Sequence, residues 1–297
     1  MIPPLFKGCA AALVTPFTQT GSIDEPALLK LIDMQLEAGM DAIVLLGTTG
    51  EPSTLSPEER KHILTLSIRH IDGKIPVIVG TGSNNTKTAV YYAQQAYMLG
   101  ADGQLCVTPY YNKTTQEGLI RHFRTIMDAS PLPMIVYNVP TRTGMSMEAC
   151  TLRNLCAHPM LAGIKEASGS LPLAAEIQEL AGPSFAVYAG NDDLILPLMA
   201  QGAVGAISVV ANILPLQTRA ITTACLNGCY LEAQEAQAAL MPMIRALFSQ
   251  VNPIPIKAAL AELGWIEDSL RLPLVPMEEP YRAKLKAVMQ AMHMLKA

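Results

Sequence analysis

Eight short apolar runs, rich in β-branched residues, recur along the chain with polar, helix-like segments between them. Such nearly continuous runs are typical of parallel strands that are covered on both faces. They occupy residues 9–14, 41–47, 76–82, 103–109, 133–140, 161–167, 185–191 and 205–212.

The segments between the runs carry helical periodicity. Residues 24–39 have apolar positions at helical spacing and end on Gly39, and Ser56, Pro57 and Glu59 form the start signal of a second helix. Eight strand–helix units in one chain predict an α/β fold, the (β/α)8 TIM barrel. A doubly wound sheet is the alternative, but no G-x-G-x-x-G follows the first strand.

The strand pattern stops at about Pro215, and only helical segments follow. We therefore predict two units. Residues 1–229 form the barrel with the active site, and residues 230–297 form a bundle of roughly three helices packed on it.

Composition excludes several classes of partner. Half of the residues are hydrophobic, 15% are charged and the net charge is −4. Without a cluster of lysine and arginine, neither nucleic acid nor an anionic membrane is an expected partner.

The uncharged stretch 194–218 is long enough to span a membrane, but prolines and glycines interrupt it. The first residues lack a secretory pattern, so we expect a cytoplasmic protein.

The six cysteines are scattered, and no C-x-x-C motif pairs with another. We interpret them as reduced core residues and expect no zinc site. Because nucleotide and metal-ligand motifs are also missing, we predict a protein without a metal or organic cofactor.

The chemistry of such barrels lies at the carboxyl ends of the strands. One of these ends carries Lys165, directly after an apolar run. Only about one in 10³ free lysines is neutral at pH 7, but burial lowers the pKa and favours the neutral amine, which attacks ketones. Two non-catalytic alternatives for Lys165 are a salt bridge to Glu166 and a side chain turned to solvent. Lys257 is a weaker candidate because it lies beyond the strands.

Proton transfer at an imine requires a second group. Tyr137, at the end of the adjacent strand, can shuttle protons if hydroxyls such as those of Thr48 and Tyr111 connect it to water. Tyr137 as an ordinary core aromatic is the alternative. The turn GTTGE at residues 47–51 offers backbone N–H groups that can hold a carboxylate.

Three segments, GTTGE 47–51, YNVPTRTG 137–144 and GIKEASG 163–169, resemble signatures of the pyruvate-dependent class I aldolases. This superfamily contains the dihydrodipicolinate synthases and the N-acetylneuraminate lyases. The resemblance covers essentially the whole chain. It implies that Lys165 forms a Schiff base, that Tyr137 donates and accepts protons, and that Thr48 and Tyr111 complete the relay.

The resemblance also implies the substrate contacts. Thr48 and Thr49 would bind the carboxylate of pyruvate, with Gly190 and Ile207 lining its pocket. The residue that matches Tyr111 comes from a neighbouring subunit in the synthases, which implies a homo-oligomer, expected to be a homotetramer built as a dimer of dimers.

Arg142 favours the synthase branch, in which an arginine at this position binds the carboxylate of L-aspartate 4-semialdehyde. Two rivals remain. One is a lyase that cleaves N-acetylneuraminate or a 2-keto-3-deoxy sugar acid, and the other is a non-catalytic barrel that binds a keto acid.

In lysine-regulated synthases, a glutamate and two ring side chains hold the inhibitor between subunits. The matching positions here are Thr88, Pro57 and Arg60. The resemblance therefore implies a crevice that lacks the anion needed to hold the ammonium group of lysine.

Overall fold

The computed structural model describes residues 2–182 and 185–295, and in these ranges eight parallel strands close into a barrel in chain order. Strand β8 pairs with β1, with Gly8 beside Gly205 and Ala10 beside Ile207. The strands are β1 Gly8–Ala12, β2 Ala42–Leu45, β3 Val77–Gly80, β4 Gly103–Val107, β5 Met134–Asn138, β6 Leu161–Glu166, β7 Ala186–Ala189 and β8 Gly205–Ser208.

The helices surround the barrel and continue after it. They are α1 Glu25–Glu37, α2 Pro57–Ile71, α3 Thr86–Met98, α4 Gln116–Asp128, α5 Pro140–Thr143, α6 Ala149–Leu155, α7 Leu171–Ala181, α8 Ile195–Ala200, α9 Pro215–Leu226, α10 Tyr230–Leu247, α11 Ile254–Glu262 and α12 Glu279–Ala291. Short 3₁₀ turns follow three strands, at Thr48–Gly50, Asp192–Leu194 and Val210–Asn212, and a fourth lies at Pro52–Thr54.

The predicted (β/α)8 barrel is confirmed, and each of the eight apolar runs overlaps a strand. The runs overshoot the strands, most clearly at β8, which ends at Ser208 rather than at residue 212. The reason is a contact from another strand end: the Asp192 carboxylate accepts hydrogen bonds from the Val209 amide, at 3.0 Å, and from the Ser208 hydroxyl. The following apolar residues therefore form a 3₁₀ turn.

The helix signals have the expected geometry. The Ser56 side chain accepts from the Glu59 amide, and the Glu59 carboxylate accepts from the Ser56 amide, which forms the predicted capping box. Gly39 follows α1 with φ of +67°, a conformation that favours glycine.

One irregularity in the sheet decides where β6 points its side chains. Met134 pairs with Leu161 but Ile135 pairs with Gly163, so Ala162 is an extra residue in β6. Leu161 belongs to the core between sheet and helices. After the extra residue, Lys165 lies opposite Tyr137, whose ring is in the cluster inside the barrel. The bulge thus turns Lys165 inward.

Helices α10, α11 and α12 pack on one another, and α10 also packs on α9 of the barrel. The division between residues 229 and 230 stays a prediction. Within the described residues, no helix is long and apolar enough to cross a membrane.

All six cysteines are free, and Cys9, Cys106 and Cys225 are buried. The interpretation as core residues is wrong for Cys150, which is exposed, and only partly right for Cys156 and Cys229. Cys150 lies at the start of the short α6, where the helix faces solvent.

Candidate active site

A cavity of about 440 Å³ opens at the carboxyl ends of β2 to β5. It joins the ends of the strands to the first turns of α2, α3 and α5. Its polar lining comes from Thr48, Ser53, Arg60, Ser83, Thr88, Tyr92, Tyr110, Tyr137, Arg142 and Thr143.

Lys165 does not line this cavity directly and is only 5% exposed. Its Nζ sits 4.4 Å from the centroid of the Tyr137 ring. Burial lowers the pKa of the amine to about 8, an effect that the Asp192 carboxylate opposes and the Arg142 guanidinium reinforces. At pH 7 about one Lys165 amine in ten is then neutral, against about one in 10³ for a lysine in water.

Neither non-catalytic alternative for Lys165 fits this geometry. The side chain is buried rather than turned to solvent. The Glu166 carboxylate accepts instead from Asn138 Nδ2 at 2.9 Å and from the Ser168 amide at 2.6 Å. Lys165 is therefore a desolvated amine and not the cation of a pair with Glu166.

Tyr137 both lines the cavity and contacts the amine. Burial raises the pKa of its phenol, while the positive charge of Arg142 and the nearby Thr48 side chain lower it, and the Glu166 carboxylate adds to the rise. Because burial is the largest effect, the phenol is protonated at neutral pH and can donate a hydrogen bond. Thr48 and Tyr137 both line the cavity, as the predicted relay requires.

The 3₁₀ turn Thr48–Gly50 contains the two residues predicted to bind a carboxylate, Thr48 and Thr49. The first N–H groups of such a turn have no partner within it. Thr49 is buried, and its Oγ1 accepts from Asn252 Nδ2 at 3.0 Å. The Thr15 hydroxyl holds the carbonyl of Gly50 at 2.8 Å. These contacts fix the turn at the end of β2.

Arg142 lies in α5 at the mouth of the cavity, with an exposed side chain. Its Nη2 donates to the carbonyl oxygen of Asn252 at 2.9 Å. A guanidinium carries five N–H donors, so this contact leaves it capable of a bidentate bond with a carboxylate.

Two other predicted contacts, Gly190 and Ile207, do not line the cavity, and Gly190 lies against Lys165. A Cβ built on Gly190 would be 3.1 Å from Lys165 Cε and 2.7 Å from Ala167 Cβ, so the absence of a side chain makes room for the amine. Ile207 is buried in the cluster inside the barrel that also contains Tyr137.

The structure of the single chain does not bring Tyr111 to the other candidates. Its side chain is 92% exposed and its backbone has φ of +67°, a left-handed conformation that is unusual for a tyrosine. The relay of Thr48, Tyr111 and Tyr137 is therefore incomplete within one copy of the chain.

Sequence reasoning missed the roles of Asn252 and Glu51 in shaping this site, and it weighed Lys257 only as a weaker candidate for the reactive amine. Asn252 contacts both Thr49 and Arg142, and the buried pair of Lys257 and Glu51 has its Nζ and Oε1 atoms 2.6 Å apart. Asn252 and Lys257 are the two polar residues of the segment NPIPIK, and the sequence shows them only as a polar pair within an apolar stretch. Nothing in the residue pattern indicates which turn they contact.

The residues 2–182 and 185–295 contain no group of three or more His, Cys, Asp or Glu side chains placed to hold a metal ion.

A family model described as the dihydrodipicolinate synthetase family matches residues 5–292. The chain belongs to this family. It is 48% identical to the 4-hydroxy-tetrahydrodipicolinate synthase of Alkaliphilus oremlandii, over 98% of this chain and 100% of the relative.

Two solved structures of the family carry ligands. The chloride-inhibited dihydrodipicolinate synthase of Acinetobacter baumannii, complexed with pyruvate, is 40% identical with a TM-score of 0.95, over 97% of this chain and 99% of the other. The enzyme of Cyanidioschyzon merolae with lysine bound is 38% identical with a TM-score of 0.95, over 98% and 100% of the two chains.

We predict that Gly190→Ala weakens the reaction of Lys165 with pyruvate. The new methyl group would press on Lys165 and on the Glu166 carbonyl oxygen, 2.9 Å from the built Cβ, and such overpacking costs about 1–3 kcal/mol. If that cost falls on the reacting amine, we expect the borohydride-trapped adduct to form roughly 5- to 150-fold more slowly. Circular dichroism checks that the fold persists. Trapping at the rate of the unmodified protein would contradict the assigned contact.

Proposed function

We propose that this chain condenses pyruvate with L-aspartate 4-semialdehyde to 4-hydroxy-tetrahydrodipicolinate, the first committed step toward diaminopimelate and lysine. The observation that carries the proposal is the desolvated amine of Lys165 beside the phenol of Tyr137, with Arg142 at the cavity mouth. The named relatives support the same reaction.

In the proposed mechanism, neutral Lys165 attacks the ketone carbon of pyruvate, whose carboxylate lies on the Thr48 and Thr49 turn. Tyr137 donates the proton with which the carbinolamine oxygen leaves as water. The resulting Tyr137 phenolate takes up a methyl proton of the iminium ion, which becomes an enamine, a carbon nucleophile. The lysine nitrogen supplies the electron sink, so the mechanism needs neither a metal nor an organic cofactor.

The enamine carbon attacks the aldehyde carbon of the second substrate, while Arg142 holds that substrate's carboxylate. The aldehyde oxygen takes up a proton and becomes the hydroxyl group of the product. The substrate's amino group then attacks the imine carbon and displaces the Lys165 amine. This transimination closes the six-membered ring and regenerates the free enzyme.

We further propose a cytoplasmic homotetramer, arranged as a dimer of dimers, in which Tyr111 of a neighbouring copy completes the relay. The exposed, left-handed Tyr111 supports this proposal, because its side chain is not among the residues that line the cavity of its own chain. No nucleic acid or membrane takes part.

The proposed reaction is tested by one pair of assays. Pyruvate with aspartate semialdehyde is expected to give product, and a panel of sugar acids, including N-acetylneuraminate and 2-keto-3-deoxygluconate, is expected to remain uncleaved. Borohydride added with pyruvate should leave an adduct on the peptide containing Lys165, and Lys165→Ala should abolish it. An adduct on Lys257 would refute the Schiff-base assignment. If the protein showed no turnover and formed no adduct, the non-catalytic barrel would be favoured.

Tyr137→Phe should lower kcat by roughly 10²–10⁴, the range for a lost acid–base group. Tyr188→Phe is the matched control, because Tyr188 flanks Lys165 on the other side in β7 and its hydroxyl donates to the Phe6 carbonyl. The control should lose about 1 kcal/mol of stability and little activity. A loss of less than about threefold for Tyr137→Phe would exclude it from the relay.

Arg142→Ala should raise the KM for aspartate semialdehyde and leave the trapping of pyruvate largely unchanged. Losing a hydrogen-bonded charge contact costs about 1.5–3 kcal/mol, or a rise in KM of roughly 10- to 100-fold. Steady-state kinetics with each substrate varied measures the difference. An equal rise in the KM values for both substrates would point to a structural role for Arg142.

L-Lysine at millimolar concentration should leave the activity intact. Arg60 is 6% exposed, its Nη2 donates to the Gly80 carbonyl at 2.7 Å, and its guanidinium stacks 4.0 Å above the centroid of the Tyr92 ring. Beside this cation, Thr88 offers no charge to the ammonium of lysine, and burying an unpaired ammonium is unfavourable. Half-inhibition below about 1 mM, roughly 4 kcal/mol of binding, would contradict this prediction.

A further inference from the structure

Asn252, beyond the barrel strands, contacts the groups that would bind both substrates. Its side-chain Nδ2 donates to Thr49 Oγ1 at 3.0 Å, and its backbone carbonyl accepts from Arg142 Nη2 at 2.9 Å. The two contacts use different parts of the residue. A side-chain substitution therefore removes the first directly and leaves the second in place.

The side chain of Asn252 is only partly satisfied. The residue is 7% exposed, and its Oδ1 is buried without a hydrogen-bond partner in the described part of the chain. A buried acceptor without a partner is unfavourable for stability. An apolar side chain would avoid this unfavourable term but could not donate to Thr49, which indicates that the N–H group is what the position requires.

The rest of the turn is held by other contacts. The Glu51 carboxylate, just after the turn, binds Lys257 Nζ at 2.6 Å and accepts from the Arg271 amide at 3.1 Å. Both charged side chains of this pair are fully buried. The backbone of the turn is thus fixed independently of Asn252, and the bond from Asn252 acts on the Thr49 side chain.

We propose that Asn252 is a positioning residue, which holds the Thr49 hydroxyl in the orientation that binds the keto-acid carboxylate. By donating to Oγ1, the amide leaves the hydroxyl proton free to point at the substrate. This inference rests on the proposed function, because it assigns Thr49 to pyruvate.

Asn252→Ala should raise the KM for pyruvate by roughly 3- to 10-fold, the effect of one lost hydrogen bond. The KM for aspartate semialdehyde should change by less than about twofold, because the carbonyl that accepts from Arg142 remains. Equal rises in both KM values would overturn the proposal. Asn252→Asp keeps the volume without the donor, and should show the same selectivity if the alanine variant folds poorly.

A double-mutant cycle with Thr49→Val tests whether Asn252 acts through the Thr49 hydroxyl. In the Thr49→Val background, Asn252→Ala should change the KM for pyruvate by less than about twofold. The full effect in both backgrounds would overturn the proposal.

Asn212→Ala serves as the control for lost stability. Asn212 is also buried, but its side chain binds Val14 and Ala12 in the barrel wall. It should lower the melting temperature without a selective rise in the pyruvate KM, and a rise equal to that of Asn252→Ala would overturn the proposal. Failure of the unmodified protein to form the Lys165 adduct would refute the proposed function instead, before any variant is compared.

Discussion

The burial of one amine inside the barrel is the constraint on which the site depends. Lys165 lies inside the barrel, where desolvation disfavours its charged form and lowers the pKa. Lys257 provides a comparison within the same chain. It is also buried, but Glu51 contacts it directly, and the pair connects α11 to the 48–51 turn. A buried lysine with a close carboxylate serves the structure, whereas one against a phenol is available for chemistry.

The position of Lys165 results from a single extra residue in β6. Without Ala162 as a bulge, strict alternation from Leu161 would direct Lys165 outward, toward the helices. The bulge instead sets Lys165 in register with Tyr137 on one side and Tyr188 on the other. Amine and phenol are therefore brought together by backbone pairing, and Gly190 provides the space beside them.

The barrel and much of the site could be predicted from the sequence, because both rest on local patterns. Apolar runs indicate strands, and their carboxyl ends share one face, which placed Lys165, Tyr137 and Thr48 together. The resemblance added roles that residue types alone left open. The bulge at Ala162 could not be predicted, since it is a property of pairing between strands. The contacts of Asn252 and Lys257 join positions about two hundred residues apart along the chain, and no local pattern encodes such distances.

The pKa of the Lys165 amine is the most direct test of this account. It can be measured as the pH dependence of arylation by fluorodinitrobenzene without substrate, because only the neutral amine reacts. Mass spectrometry of the Lys165 peptide gives its rate, with exposed Lys61 as an internal reference. The account predicts that the arylation rate of Lys165 has its midpoint at a pH of about 8, and that pyruvate slows the arylation. A rate that keeps rising to a midpoint near 10.4, the value for a lysine in water, would contradict it.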